Sequence, residues 1–255
     1  MKISNVEVKD LVNTYGSPLY VYDQRMIEDK LNAFKTHLNS SKFECDVIYA
    51  SKAFNCKAML QLVSKMDCSL DVVSGGELYT AYVAGFDMNR VYFHGNNKSM
   101  DELKLALKYK VGTIIVDNLM EARLLSELAK NLDYTVSILL RVNPGIEAHT
   151  HEYIVTANID SKFGISIEKK SDILELIQII NACPNLSFDG FHAHIGSQIF
   201  DKEAFVQEVN KVCEFVSNLG VDVSTLNFGG GFGAVYTSED TPIPVDVVCE
   251  TLIEA

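Results

Sequence analysis

Apolar residues fall along this chain in two alternating rhythms. Short runs rich in β-branched and aromatic side chains lie at 47–49, 70–73, 91–93, 113–116, 136–142, 188–194 and 225–228. Between them, apolar residues recur three and four positions apart at 77–84, 100–107, 120–128, 173–180 and 205–216. The first pattern predicts strands and the second predicts helices packed by one face. Such alternation argues for a parallel sheet with helices outside it, and right-handed crossovers then leave either a barrel or an open doubly wound sheet. Residues capable of chemistry follow nearly every predicted strand, at Lys52, Asp71, His94, Asp117, Arg141, His194 and Gly229. That distribution favours the barrel, in which all strand ends converge on one site, over an open sheet with one switch point. The fold class is therefore α/β. A last helical pattern at 243–254 points toward an eighth strand that the 255 residues do not supply, so an incomplete (β/α)8 barrel is expected. The stretch Tyr15-Gly-Ser-Pro-Leu-Tyr-Val-Tyr22 reads as a turn and a strand outside this rhythm, suited to another sheet. Residues 1–23 are thus set apart from a barrel spanning 24–255.

Composition narrows the function classes. A chain that is 47% hydrophobic and 22% charged can bury a sizeable core as one large domain. Its formal net charge of -12 opposes nucleic acid and anionic membrane surfaces as partners. The amino terminus has no apolar signal core and the apolar runs are too short to span a bilayer, so a cytoplasmic protein is expected. Six cysteines, at 45, 56, 68, 183, 213 and 249, show no paired spacing and are read as reduced, mostly buried thiols.

Several residues invite chemistry. Lys52 follows a predicted strand, where an amine can be partly desolvated and made nucleophilic; the alternative is a solvated loop lysine. The run Asn227-Phe-Gly-Gly-Gly-Phe-Gly233 ends the last strand, and glycines let backbone N–H groups converge on a phosphate. A dinucleotide fingerprint would require a following strand, and none is predicted. His192 and His194 alternate on one strand and so share a face. With His149 and His151 they could serve a metallohydrolase, although the latter two sit in a long loop. His192 suits a hydrogen-bonded core position, whereas His194 is followed by Gly-Ser, which leaves room beside a flat ligand. Arg141 ends a strand before a Pro-Gly turn, able to hold an oxyanion or to pair with Asp71 or Glu77. The stretch Asp71-Val-Val-Ser-Gly-Gly-Glu77 either borders the site or caps the next helix.

Taken in order, Tyr49-Ala-Ser-Lys-Ala53, the Asp71 to Glu77 segment, Phe93-His-Gly-Asn-Asn-Lys-Ser99, Arg141-Val-Asn-Pro-Gly145, His194-Ile-Gly-Ser-Gln198 and Gly229-Gly-Gly-Phe-Gly233 resemble the diaminopimelate decarboxylase family, essentially end to end. The resemblance implies the fold-type III, alanine-racemase-like barrel of pyridoxal phosphate enzymes. It implies that Lys52 forms the imine, that His194 stacks on the cofactor ring, and that Ser197 with Gly229, Gly230 and Gly231 holds the phosphate. Arg141, Asp71 and Glu77 match positions around the cofactor and its lysine. The stretch Ala148-His-Thr-His-Glu-Tyr-Ile154, leading to Asp160-Ser-Lys-Phe-Gly164, and Gln198 are similar to diaminopimelate rather than ornithine decarboxylases; Ala157 departs from the usual glycine. The implied reaction converts meso-2,6-diaminopimelate to L-lysine and carbon dioxide, in a homodimer when full length. The family continues through an eighth strand and a carboxy-terminal β domain, which carry an acid for the pyridine nitrogen and further site residues. Rival readings are a decarboxylase of ornithine, another basic amino acid or carboxynorspermidine, a non-catalytic homologue that binds pyridoxal phosphate, and, most distantly, the hydrolase.

Overall fold

The structure, a computed structural model, describes residues 1–146 and 162–255. Two short antiparallel strands, β1 (Lys2–Ile3) and β2 (Val6–Glu7), precede α1 (Val8–Tyr15) and α2 (Gln24–His37). The expected alternation follows: β3 (Ile48–Ala50), α3 (Lys57–Lys65), β4 (Ser69–Val72), α4 (Gly75–Ala84), β5 (Val91–Phe93), α5 (Met100–Lys108), β6 (Thr113–Val116), α6 (Leu119–Ala129) and β7 (Val136–Asn143). After a two-residue strand, β8 (Ile165–Ser166), come α7 (Lys170–Asn181), β9 (Leu186–His192), α8 (Lys202–Leu219), β10 (Thr225–Asn227) and α9 (Val245–Glu254).

Polar residues punctuate four of the strand-to-helix passages. Ser74 caps α4 by accepting the Glu77 N–H, Ser99 and Glu102 form a reciprocal capping box at α5, and Asn118 and Asp201 cap α6 and α8. Each such cap contributes about 1 kcal/mol and satisfies backbone donors that would otherwise be orphaned. Ser74 therefore has the capping role that its sequence position allowed.

Seven strands pair in the order β3, β4, β5, β6, β7, β9, β10, each parallel to its neighbours, with β8 extending one end of β7. Spatial order equals chain order, so every helix crosses one strand to the next. The helix before one edge strand, α2, packs against α9, the helix after the other edge strand. Only a sheet curled into an arc brings those two helices together, which selects the barrel form over the open sheet. No ladder joins β3 to β10 among the described residues. The core is aliphatic and aromatic, with Leu60, Leu70, Leu78, Phe93, Leu103, Ile114, Leu125 and Ile138 fully enclosed. Gly190 shows how tightly the last strands approach: its φ is +152° and a Cβ there would lie 1.9 Å from Thr225 O.

The amino-terminal segment carries a helix that the apolar pattern did not announce. Residues 8–15 form a helix, and 19–22, expected to be a strand, join no ladder among the described residues. Leu19, Tyr20, Val21 and Tyr22 are exposed, and Tyr22 stacks on Phe54 with ring centroids 3.9 Å apart. Apolar content alone does not make a strand where no neighbouring edge offers backbone partners. No described helix is long and apolar enough to cross a membrane.

Candidate functional site

The carboxyl ends of the strands carry the expected residues to one region. Lys52 lies in a single turn directly after β3, exposed, and among the described residues its amine takes no hydrogen bond or ion pair. The preceding Ser51 is buried and donates to Glu77 Oε2 at 2.8 Å, and the same oxygen accepts the Val73 N–H at 2.9 Å. Glu77 thus ties the lysine turn to the end of β4. It supports Lys52 through Ser51 rather than reaching the lysine itself.

A second group centres on Arg141. Its side chain, 5% exposed, lies on β7 with Nη1 2.9 Å from His94 Nε2 and 4.0 Å from Asp117 Oδ1. An arginine can only donate, so His94 Nε2 accepts in this arrangement. The other ring nitrogen of His94 is 3.8 Å from Asp71 Oδ2. Arg141 therefore meets Asp117 and His94, and it reaches Asp71 only through His94; the direct pairing with Asp71 or Glu77, one of the two roles the sequence allowed, is not formed among the described residues. Strand order supplies the reason: β6, directly followed by Asp117, adjoins β7, whereas β4 is three strands away. The Arg141 guanidinium also lies over the Phe163 ring, 4.5 Å from its centroid. Burial lowers the proton affinity of Arg141, and the Asp117 and Asp71 carboxylates oppose that shift.

Register sets Arg141 beside His192 and His192 beside Asn227. His192 is buried, packs edge-on to His94 with centroids 4.6 Å apart, and leaves Nδ1 without a hydrogen bond. The expectation of a hydrogen-bonded core histidine is half met: the residue is in the core, but this nitrogen has no partner. Burial, followed by the nearby His94 and Arg141, holds its pKa well below the usual histidine value. His194, just beyond β9, is brought to about 3 by burial and by the charges of Arg141 and Lys52. A ring kept neutral through the physiological range presents a flat, uncharged face near the Lys52 amine.

The His194–Gln198 turn and the glycine run are joined residue by residue. Ala193 N–H donates to Asn227 O at 2.8 Å, Ile199 N–H to Gly231 O at 2.9 Å, and Gly233 N–H to Ile199 O at 3.0 Å. The Gln198 amide closes this seam by donating to Ala234 O at 3.0 Å and accepting from Ala234 N at 2.9 Å. Gly229 and Gly231 have φ of +66° and +96°, and a Cβ on Gly231 would lie 1.9 Å from Gly196 O. Here the glycines are required by close backbone contact as well as by turn conformation. Gly229 N–H bonds to Asn227 Oδ1 at 2.8 Å, and Gly230 N–H is directed at His194 Nδ1 at 3.5 Å. Ser197, half-buried, sits on the same seam.

Sequence reasoning named His94 and Asp117 as strand-end residues without giving them a role, and it passed over Glu121. The missing signal for Asp117 was strand adjacency. Once spatial order follows chain order, the end of each strand becomes the neighbour of the next. His149, His151, Thr156, Ala157, Asp160, Ser161 and the remainder of 148–154 lie outside the described residues.

Against known proteins, residues 24–255 match the family described as "Pyridoxal-dependent decarboxylase, pyridoxal binding domain". The chain belongs to the pyridoxal-dependent decarboxylases. It is 43% identical to diaminopimelate decarboxylase of Bacillus subtilis over 100% of this chain and 59% of that enzyme. Among solved structures, diaminopimelate decarboxylase of M. jannaschii in complex with L-lysine aligns with a TM-score of 0.89 at 30% identity, covering 99% of this chain and 60% of that one. The Helicobacter pylori enzyme complexed with L-lysine aligns at 0.88 and 29%, covering 97% and 62%. The chain therefore spans about 60% of the length of these family members. Its curled seven-strand sheet is the corresponding portion of their fold.

Proposed function

We propose that this region binds pyridoxal phosphate covalently through Lys52 Nζ and, within the longer decarboxylase, serves conversion of meso-2,6-diaminopimelate to L-lysine and carbon dioxide. The carrying observation is the unpaired Lys52 amine beside the neutral His194 ring, with the glycine seam at Gly229–Gly231 on the same turn system. The residues fit such a cofactor in chemistry: an amine for its aldehyde, a flat ring for its ring, and N–H and hydroxyl donors for its phosphate. The long Gly230–His194 contact is weak enough for a phosphate oxygen to replace. When bound, the cofactor supplies the conjugated ring that accepts the electrons released as the carboxylate leaves.

The chain's own residues supply binding and orientation. Ser197 and the Gly229–Gly231 backbone would hold the phosphate, His194 would support the ring, and Arg141 with Asp71 would border the cofactor. Glu77, through Ser51, fixes the turn that presents Lys52. The 43% identity to a diaminopimelate enzyme supports that substrate over ornithine. We assign residues 1–23 to a segment that pairs with a further β domain and 24–255 to the barrel, supported by the exposed Leu19–Tyr22 side chains. A homodimer of the full-length protein belongs to the same proposal, and sedimentation tests it.

Borohydride reduction followed by peptide mass spectrometry tests the cofactor assignment, with Lys52 as the expected labelled residue. Equal labelling of other lysines, or labelling unchanged in Lys52→Ala, would sink it. Carbon dioxide release from meso-diaminopimelate, ornithine, arginine and lysine then decides the substrate. A higher kcat/KM for ornithine would favour the rival decarboxylase, and binding without turnover of any amino acid would favour the non-catalytic homologue.

A further inference from the structure

Lys98, on the connection from β5 to α5, has a side chain only 1% exposed, and its partner Glu121 on α6 is 5% exposed. Lys98 Nζ donates to Gly95 O at 2.6 Å and to Ile115 O at 2.7 Å, and lies 2.7 Å from Glu121 Oε1. The second Glu121 oxygen accepts the Asp117 N–H at 3.1 Å. Taking an ammonium and a carboxylate out of water is costly, and the attraction within a buried pair often does no more than offset that cost. Stability alone therefore gives a poor account of the pair. Its contacts give a better one, because they tie the carboxyl end of β5, through Gly95, to that of β6, through Ile115 and Asp117.

The two residues flanking these ties are His94 and Asp117, the side chains that meet the Arg141 guanidinium. We propose that the buried Lys98–Glu121 pair is a positioning clamp that sets the spacing of His94 and Asp117 and thereby aims the Arg141 guanidinium. The same clamp seats the chain that covers Arg141. Asp117 Oδ2 accepts the Gly164 N–H at 3.1 Å, and Asn96 Nδ2 donates to Lys162 O at 3.3 Å, which brackets Phe163 over the guanidinium. Neither Lys98 nor Glu121 meets Arg141 itself, so both act through their neighbours. The effect of the clamp on cofactor affinity rests on the reading of Arg141 given above; its effect on the guanidinium does not.

The test uses the natural gene product carrying these residues, with Glu121→Gln, which keeps shape and removes charge, and the doubly apolar K98M/E121M. Arginine side-chain 15N spectra of the cofactor-free protein report on Arg141, one of four arginines in the chain. Pyridoxal phosphate titration and a KM-against-kcat comparison follow on the same samples. A clamp predicts that Arg141 Nε–H exchange with solvent accelerates roughly tenfold or more in each folded variant, with cofactor Kd raised by a similar factor. K98M/E121M leaves Gly95 O, Ile115 O and the Asp117 N–H without these partners, so its melting temperature should fall, and Glu121→Gln, which keeps the shape and an acceptor for the Asp117 N–H, is the variant that separates positioning from stability. Wild-type exchange in either folded variant overturns the proposal, and Glu121→Gln decides it if the double variant does not fold. Accelerated exchange with unchanged cofactor affinity upholds the clamp and overturns the assignment of Arg141 to the cofactor.

Discussion

Among the described residues, Glu208 has both carboxylate oxygens buried without a hydrogen-bond partner, on the core-facing stripe of α8 between Phe205 and Val212. Burial raises its pKa well above 4.5, so the fold favours the protonated acid. A raised folded-state pKa contributes stability below the unfolded value and loses it as pH rises from about 4.5 toward the folded pKa. Glu208→Gln cannot ionise and should be insensitive to this term. Its stability relative to the wild type is expected to grow through that window by up to about 1.4 kcal/mol per pH unit. Urea unfolding at pH 4.5, 6 and 7.5 checks it, and a constant difference would show that the carboxyl is not held protonated. The buried histidines have the opposite sign. His192 and His194 have folded pKa values below 6.5, so the stability they confer is complete above 6.5 and lost as pH falls below it. His192→Gln should therefore flatten the acid limb of the stability profile. An unchanged slope between pH 6.5 and 5 would contradict the burial argument.

At the scale of elements, the glycine seam makes the most exacting demand. Gly231→Ala puts a Cβ against Gly196 O in a backbone conformation that L-residues avoid, and the two turns it joins must separate. A cost of about 2–3 kcal/mol is expected, with loss of phosphate-dependent cofactor binding even where the protein still folds. Thermal unfolding with and without pyridoxal phosphate measures both, and a variant with wild-type melting and cofactor protection would remove the seam from the argument. Much of this level was legible in the sequence. All seven barrel strands and the later helices announce themselves because buried parallel strands and amphipathic helices leave different apolar periods, and Lys52, Asp71, Arg141, His194, Ser197 and the glycines lie in the last residues of strands or just beyond them. Side-chain partners were not legible. Arg141 pairs with Asp117 across adjacent strands, Gln198 clasps Ala234, and Lys98 reaches α6, and each contact depends on three-dimensional neighbours that local period does not encode. The β1–β2 hairpin and α1 were missed for a related reason. Two-residue strands have no measurable alternation, and Tyr15–Tyr22 looks strand-like by composition alone.

The whole molecule is an arc whose two edge strands, β3 and β10, each have one sheet neighbour among the described residues, with α2 and α9 meeting across the gap. In the family members it resembles, this arc corresponds to about 60% of the chain. The polypeptide 1–255 expressed by itself should therefore be a poor decarboxylase even though Lys52, His194, Arg141 and the glycine seam are all present. Unpaired edge strands leave backbone donors and acceptors available to other chains, which favours aggregation. The chemistry weakens separately. The family resemblance implies an acid for the pyridine nitrogen in the portion of the relatives that these residues do not match, and without it the ring is a poorer electron sink, while an open site keeps substrate carboxylates solvated. We expect carbon dioxide release at least about 100-fold below that of a version extended by a relative's remaining segment, weaker cofactor binding, and light scattering that rises with concentration. Purified 1–255, verified by mass spectrometry to be free of longer contaminants and supplied with excess cofactor, makes the comparison direct. Turnover within a few-fold of the extended chain would show that the arc closes on itself or on a second copy, and that the acid on the pyridine nitrogen is dispensable.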